Sequence, residues 1–208
     1  VYGDMADRDI AKETDRLHPS SPYSASKAGG EMLCMAYSRT YGVPVMITRS
    51  SNNYGPHQYP EKVIPLFITN LLEGKKVPVY GDGKQVRDWL FVSDNCEAID
   101  LVLRKGVIGE IYNIGANQNP EIDNLNLIKE IIRACGKDEG EIEYVKDRPG
   151  HDRRYAIDTQ KIRALGWEPK VSFDDGLTKT IDWYKNNKGW WALIKSGEYL
   201  DYYQKQYR

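Results

Sequence analysis

The sequence predicts an α/β protein, part of a doubly wound sheet joined to a small second α/β domain. Helical and strand-like stretches alternate: the helical pattern of residues 23–41 gives way after Gly42 to the β-rich run 43–49, and residues 93–104 give way to 111–114. The strand-like runs are short and bounded by turn residues, as parallel strands buried on both faces are. With 208 residues, 40% of them hydrophobic, the chain can bury a substantial core.

Taken in order, Val1-Tyr2-Gly3-Asp4 reads as the end of a strand entering a polar loop, which the turn residues His18-Pro19-Ser20-Ser21-Pro22 close. Ser20 and Ser21 supply capping hydroxyls and Pro22 a helix-compatible first turn for residues 23–41. Met32, Leu33, Met35 and Ala36 are the apolar residues of that helix, and Gly42 stops it. Beyond the strand at 43–49, a helix is expected at 65–73, strands at 77–80 and 89–92, and a helix at 93–104. Ser93 or Asp94 would cap this helix, and Ile99, Leu101, Val102 and Leu103 would form its apolar side. A strand at 111–114, a helix at 125–135, a strand at 142–145 and a turn at Asp147-Arg148-Pro149-Gly150 follow. Helices at 159–165 and 173–183 come next, with Trp190-Trp191 as a packing anchor. The division expected is residues 1–60 for a first, partial portion and 61–208 mainly for a second, some of whose segments return to the first.

A formal net charge of −1 argues against nucleic acid and anionic membranes as partners. No apolar run is long enough to cross a bilayer and no leader is visible, so a cytoplasmic protein is expected. Cys34, Cys96 and Cys135 are widely spaced and odd in number, which fits free thiols. They share no ligand spacing with His18, His57 and His151, so no metal site is expected.

The chemistry concentrates in Pro22-Tyr23-Ser24-Ala25-Ser26-Lys27. Tyr23 and Lys27 stand four residues apart, one helical turn, and so share a face. A neighbouring ammonium favours phenolate over phenol, which makes the tyrosine a usable proton acceptor. Asn52 and Asn53 fall just past the carboxyl end of the 43–49 strand, where open α/β sheets bind ligands.

The Tyr-x-x-x-Lys helix resembles that of the extended short-chain dehydrogenase/reductase family. Ser50-Ser51-Asn52-Asn53-Tyr54-Gly55-Pro56 through Pro65 is similar to the segment that marks its nucleotide-sugar 4,6-dehydratases, most of all the dTDP-glucose branch. Val79-Tyr80-Gly81-Asp82-Gly83, Arg87-Asp88-Trp89, Tyr112-Asn113-Ile114-Gly115 and Asp147-Arg148-Pro149-Gly150-His151-Asp152 follow in the family's order. The resemblance implies the carboxy-terminal part of a Rossmann-like enzyme with a nucleotide-sugar substrate and NAD as cofactor. The main NAD segment and the carboxylates that drive water loss would then lie before Val1, leaving this chain inactive alone. A homodimer is implied for the full-length enzyme.

The resemblance also assigns roles. Tyr23 takes the proton of the sugar 4-hydroxyl while hydride passes to NAD, and Lys27 favours the phenolate and holds the nicotinamide ribose, with Asn52 beside the cofactor. The resulting ketone acidifies the C5 proton, water leaves across C5 and C6, and hydride returns to C6. Asn53, Lys62, Val63, Pro78, Val79, Tyr80, Arg87, Asn124, Asp147, Arg148, Pro149, Gly150 and His151 would line the substrate pocket, Arg87 and Arg148 gripping the diphosphate with their planar forks. The alternatives are another nucleotide-sugar epimerase or decarboxylase of the superfamily, or a non-catalytic module that binds a nucleotide sugar or a subunit.

Overall fold

The structure, a computed structural model, describes residues 1–6, 9–147, 151–196 and 205. The chain forms two compact units, and neither is continuous in sequence. The first takes residues 1–53, 85–122 and 149–171, and the second 54–84, 123–148 and 172–208.

In the first unit, α1 (Pro22–Tyr41) begins in a reciprocal cap: the Ser24 N–H donates to Ser21 Oγ at 3.2 Å and the Ser21 N–H to Ser24 Oγ at 3.0 Å. Gly42 ends the helix at φ 69°, a left-handed turn open to glycine. The apolar stripe expected at Met32 and Leu33 is not core, for these side chains are 53% and 62% exposed, and the buried residues of α1 are Ala28 and Glu31. β1 (Ile47–Ser50) runs parallel to β6 (Ile111–Ile114), with Ile47 beside Ile111 and Ser50 beside Ile114. Two short pairs, β2 (Asn52–Tyr54) with β5 (Trp89–Phe91) and β4 (Val86–Arg87) with β7 (Ile122–Asp123), belong mainly to this unit. Arg87 thus lies within a strand rather than on a connection between strands.

The core of this unit gathers Leu90, Ala98, Val102, Tyr112, Ile114, Ile162 and Trp167. α3 (Val92–Lys105) buries Ala98 and Val102 and packs Leu101 against the core, as expected of the latter two, but Ile99 and Leu103, expected beside them, are exposed. Asp94 is not its cap either: Phe91 holds that position without a side-chain bond. The Asp94 carboxylate is buried and accepts the Lys170 and Val171 N–H groups, each at 3.0 Å, fastening the segment that carries Trp167. α5 (Gln160–Arg163) is shorter than the expected helix at 159–165.

The second unit packs α2 (Val63–Leu72), α4 (Asn124–Ala134) and α6 (Phe173–Asn186) with the parallel pair β3 (Val77–Tyr80) and β8 (Ile142–Val145). Every residue of α2 from Ile64 to Leu71 is buried. Gly83, at φ 69°, turns the chain after β3, where an added Cβ would meet Val79 Cγ1 at 2.9 Å. Trp191, on α7 (Lys188–Ile194), is fully buried and donates from Nε1 to the Tyr184 carbonyl at 2.8 Å, so the tryptophan pair does anchor this end of the unit. A buried Lys195 follows, donating to Thr69 Oγ1, Asn70 Oδ1 and Glu73 Oε2 at 2.9–3.1 Å. Among the described residues no helix is long and apolar enough to cross a membrane.

Candidate active site

Tyr23 is the second residue of α1, where the cap fixes the backbone before the first full turn is complete. Its side chain is 74% exposed and that of Lys27 is exposed beside it. Among the described residues neither the phenol nor the ammonium has a hydrogen-bonding or ionic partner; only the Tyr23 carbonyl is engaged, accepting from Ser26 Oγ at 2.8 Å. Such a pair is free to meet a ligand. Asn52 begins just past the carboxyl end of β1, and its N–H donates to the Asp88 carbonyl at 3.0 Å, which fixes the backbone without using the side chain. Asn53 Nδ2 donates to the Ser51 carbonyl at 3.1 Å.

A second polar group in this unit surrounds Arg87. Its guanidinium is buried, lies 4.1 Å over the Tyr155 ring, and donates to the Val86 and Asp152 carbonyls at 2.7 and 2.8 Å. Two of its donor nitrogens are therefore committed to backbone. Burial, helped by the bond from its hydroxyl to Asp152 Oδ2 at 2.7 Å, pushes the Tyr155 phenol up to about 12, against the opposing charge of Arg87. Asp88 is shut in as well: burial raises its carboxyl above the usual range, against bonds received from the Ala116 and Gln118 N–H groups at 2.8 and 3.3 Å. A glycine is required opposite it, because a Cβ on Gly115 would stand 2.6 Å from Asp88 Oδ2. A cavity of about 370 Å³ opens here, lined among others by Arg87, Asp88, Gln118, Arg154 and Tyr155. Sequence reasoning missed Arg154, which binds the Glu121 carboxylate through Nε at 3.0 Å and the Ala6 and Asp9 carbonyls through Nη1 at 2.9 and 2.7 Å. The signal available was its place in Arg153-Arg154, directly after the Asp147–Asp152 motif. His151 is half-buried in the same unit.

The second unit holds the remaining described residues of the expected pocket. Lys62 precedes the first turn of α2 and pairs with Glu61 at 2.8 Å, and Val63 opens the helix. Pro78 and Val79 are buried in β3, while Tyr80 at its end is half-buried. Asn124 starts α4, behind an Asp123 cap that accepts the Asn126 N–H at 2.7 Å. Asp147 is exposed and packs on Gly81, whose missing Cβ would stand 2.9 Å from its Oδ2. Arg148, Pro149 and Gly150 lie outside the described residues. Among the described residues no group of His, Cys, Asp or Glu side chains could hold a metal ion.

A family model described as GDP-mannose 4,6 dehydratase matches residues 1–180. The chain belongs to this family. Within it, the chain is 49% identical over 197 residues to a dTDP-glucose 4,6-dehydratase from Streptomyces niveus, a match covering 94% of this chain and 58% of that protein. The crystal structure of the dTDP-glucose 4,6-dehydratase of Bacillus anthracis in complex with NAD superposes with a TM-score of 0.88 at 52% identity, covering 94% of this chain and 62% of that one. A UDP-glucuronic acid 4-epimerase from Bacillus cereus, solved in complex with UDP-glucuronic acid and NAD, gives a TM-score of 0.83 at 31% identity, covering 89% of this chain and 59% of that one. The fold is Rossmann-like α/β, as the sequence led us to expect, and the chain spans about three-fifths of each of these relatives.

Proposed function

We propose that this chain belongs to an NAD-dependent nucleotide-sugar 4,6-dehydratase acting on dTDP-glucose, with Tyr23 as the proton acceptor. The observation that carries the reading is the exposed Tyr23–Lys27 pair, one turn apart at the capped start of α1 and free of internal partners among the described residues. The resemblance implies such a pair for epimerases of the superfamily as well, so the substrate class rests on the higher identity to the dehydratases.

The residues present suit the nicotinamide end of NAD. A phenol and an ammonium on one face can donate to a ribose, and Asn52 stands at the strand end where α/β sheets receive ligands. When bound, NAD supplies the acceptor and later the donor of a hydride. The protein's own work is proton transfer and orientation. Tyr23 Oη takes the proton of the sugar 4-hydroxyl, and Lys27 favours the phenolate by its charge. As the resemblance implies, nucleotide-sugar contacts are assigned to Asn53, Lys62, Val63, Pro78, Val79, Tyr80, Asn124, Asp147 and residues 148–151. Arg87, already bonded to the Val86 and Asp152 carbonyls, offers a diphosphate chiefly its charge, and Arg148 offers its fork.

The full-length protein, given NAD and dTDP-glucose, should release a 4-keto-6-deoxy sugar nucleotide. Tyr23→Phe keeps the ring and removes the proton acceptor, so kcat should fall about 10²-fold or more with KM nearly unchanged. Formation of a 4-epimer in place of the keto sugar would assign the chain to the epimerases, and full turnover by Tyr23→Phe would remove Tyr23 from the mechanism. A homodimer and a cytoplasmic setting are part of the proposal, the latter supported by free thiols at Cys34, Cys96 and Cys135. Light scattering of the full-length protein tests the former.

A further inference from the structure

We infer that the buried ion pair Glu31–Arg49 is a positioning pair, which sets the rotation of α1 and the level of the β1 end so that Tyr23, Lys27 and Asn52 are presented together. The inference rests on the reading of Tyr23 as proton acceptor.

Glu31 lies one turn beyond Lys27 and two beyond Tyr23, on the same stripe of α1. Among the described residues apolar packing does little to fix how this helix is rotated, since its buried residues are Ala28 and Glu31. The Glu31 side chain is instead gripped by both arms of Arg49: Nε donates to Oε2 at 2.9 Å and Nη2 to Oε1, with side chains only 7% and 8% exposed. Turning α1 by one residue, about 100°, would take the carboxylate off a guanidinium that is only 8% exposed.

Arg49 is itself held in place. Its Nη1 donates to Tyr2 Oη at 2.6 Å and to the Glu13 carbonyl at 3.3 Å, and its guanidinium lies 4.8 Å over the Tyr2 ring. Tyr2 Oη donates to Asn113 Oδ1 at 2.7 Å on β6, while the Asn113 side chain and N–H donate to the Ala11 carbonyl at 3.1 Å and to Glu13 Oε1 at 2.9 Å. One network thus joins α1, β1, β6 and the loop before α1. Arg49 stands three residues before Asn52, so the same side chain that fixes the helix also fixes the strand end that carries the proposed cofactor contact.

The test compares three variants of the full-length protein loaded with NAD. Arg49→Lys keeps the charge and loses the two-pronged grip. The double variant Glu31→Leu with Arg49→Met replaces the pair by apolar groups and leaves no unpaired charge, so a fold that needs only burial there is retained. In both, kcat should fall about 10- to 100-fold through misplacement of the reacting groups, with KM for the nucleotide sugar within about two-fold. Amide hydrogen exchange at residues 24–28 of the unliganded protein should quicken in the double variant although its Tm stays near that of the parent. Recovery of kcat together with Tm in the double variant would reduce the pair to fold support and overturn the inference. Should the double variant fail to fold, an unchanged kcat in a folded Arg49→Lys protein would do the same. Tyr23→Phe separates the two levels: if it leaves turnover intact, the proton-acceptor reading has failed, whereas loss of turnover there with normal kcat in the pair variants fails the positioning alone.

Discussion

Helices α1 and α2 hold their places by opposite means. α2 is short and buries every residue from Ile64 to Leu71, so hydrophobic contact on all sides fixes it. α1 is twice as long, has Tyr23, Leu33, Tyr37 and Tyr41 more than half exposed, and is located by a cap at one end and an ion pair in the middle. A helix wrapped in core has no face left for a ligand. One located by a few polar contacts keeps its reactive face free and carries its functional groups at a defined angle.

The largest contrast is in side-chain truncation. Phe67→Ala in α2, where the ring is 4% exposed, should cost about 3–5 kcal/mol through lost transfer energy and the cavity left behind. Leu33→Ala in α1 should change the stability of this chain by less than about 0.5 kcal/mol. Urea unfolding of both variants measures the difference, and a large loss in Leu33→Ala would mean that α1 is held by apolar packing after all.

A smaller effect of opposite sense comes from the helix starts. Ser21→Ala removes the reciprocal cap of α1 and should cost about 1 kcal/mol, whereas Lys62→Ala at the uncapped start of α2 should cost almost nothing. Equal losses would show that the hydroxyl bonds contribute little to placing α1.

The smallest effect is a pH dependence at the far end of α2. Burial acts to raise the Glu73 carboxyl, but hydrogen bonds from Lys75 and Lys195 outweigh it and hold the group below its ordinary 4.5. The folded state then binds fewer protons than the unfolded one, so Glu73 contributes stability above pH 4.5 that is lost as pH falls through the lower folded value. Burial likewise lowers Lys195 from its ordinary 10.5, with Glu73 opposing, so its ammonium weighs least on stability as pH rises toward 10.5. Glu73→Gln should therefore lose less Tm than the parent between pH 5 and 3, in thermal scans across that range. Identical acid profiles would show that the Lys195 contact carries no linkage.

Much of this molecule is written in local signals. The boundaries of α1 followed from Ser21, Pro22 and Gly42, because capping and left-handed turns are decided within a few residues. Strands β3, β6 and β8 fell where short β-rich runs stood between turn residues. Tyr23 and Lys27 had to share a face, since helical pitch alone puts residues four apart side by side.

Partners distant in sequence were decided only by the tertiary structure. Asp94 sits where a capping residue belongs, yet it accepts bonds from Lys170 and Val171, some seventy-six residues away. Ile99 and Leu103 read as core because they are apolar, but which side of α3 meets the sheet depends on where β6 and Trp167 arrive. Nothing local pairs Glu31 with Arg49, eighteen residues apart, and only the folding of α1 against β1 takes both largely out of water and makes each necessary to the other. The sequence alone could set the spacing of the reactive pair along its helix; the angle at which that helix is held is a property of contacts that no local pattern encodes.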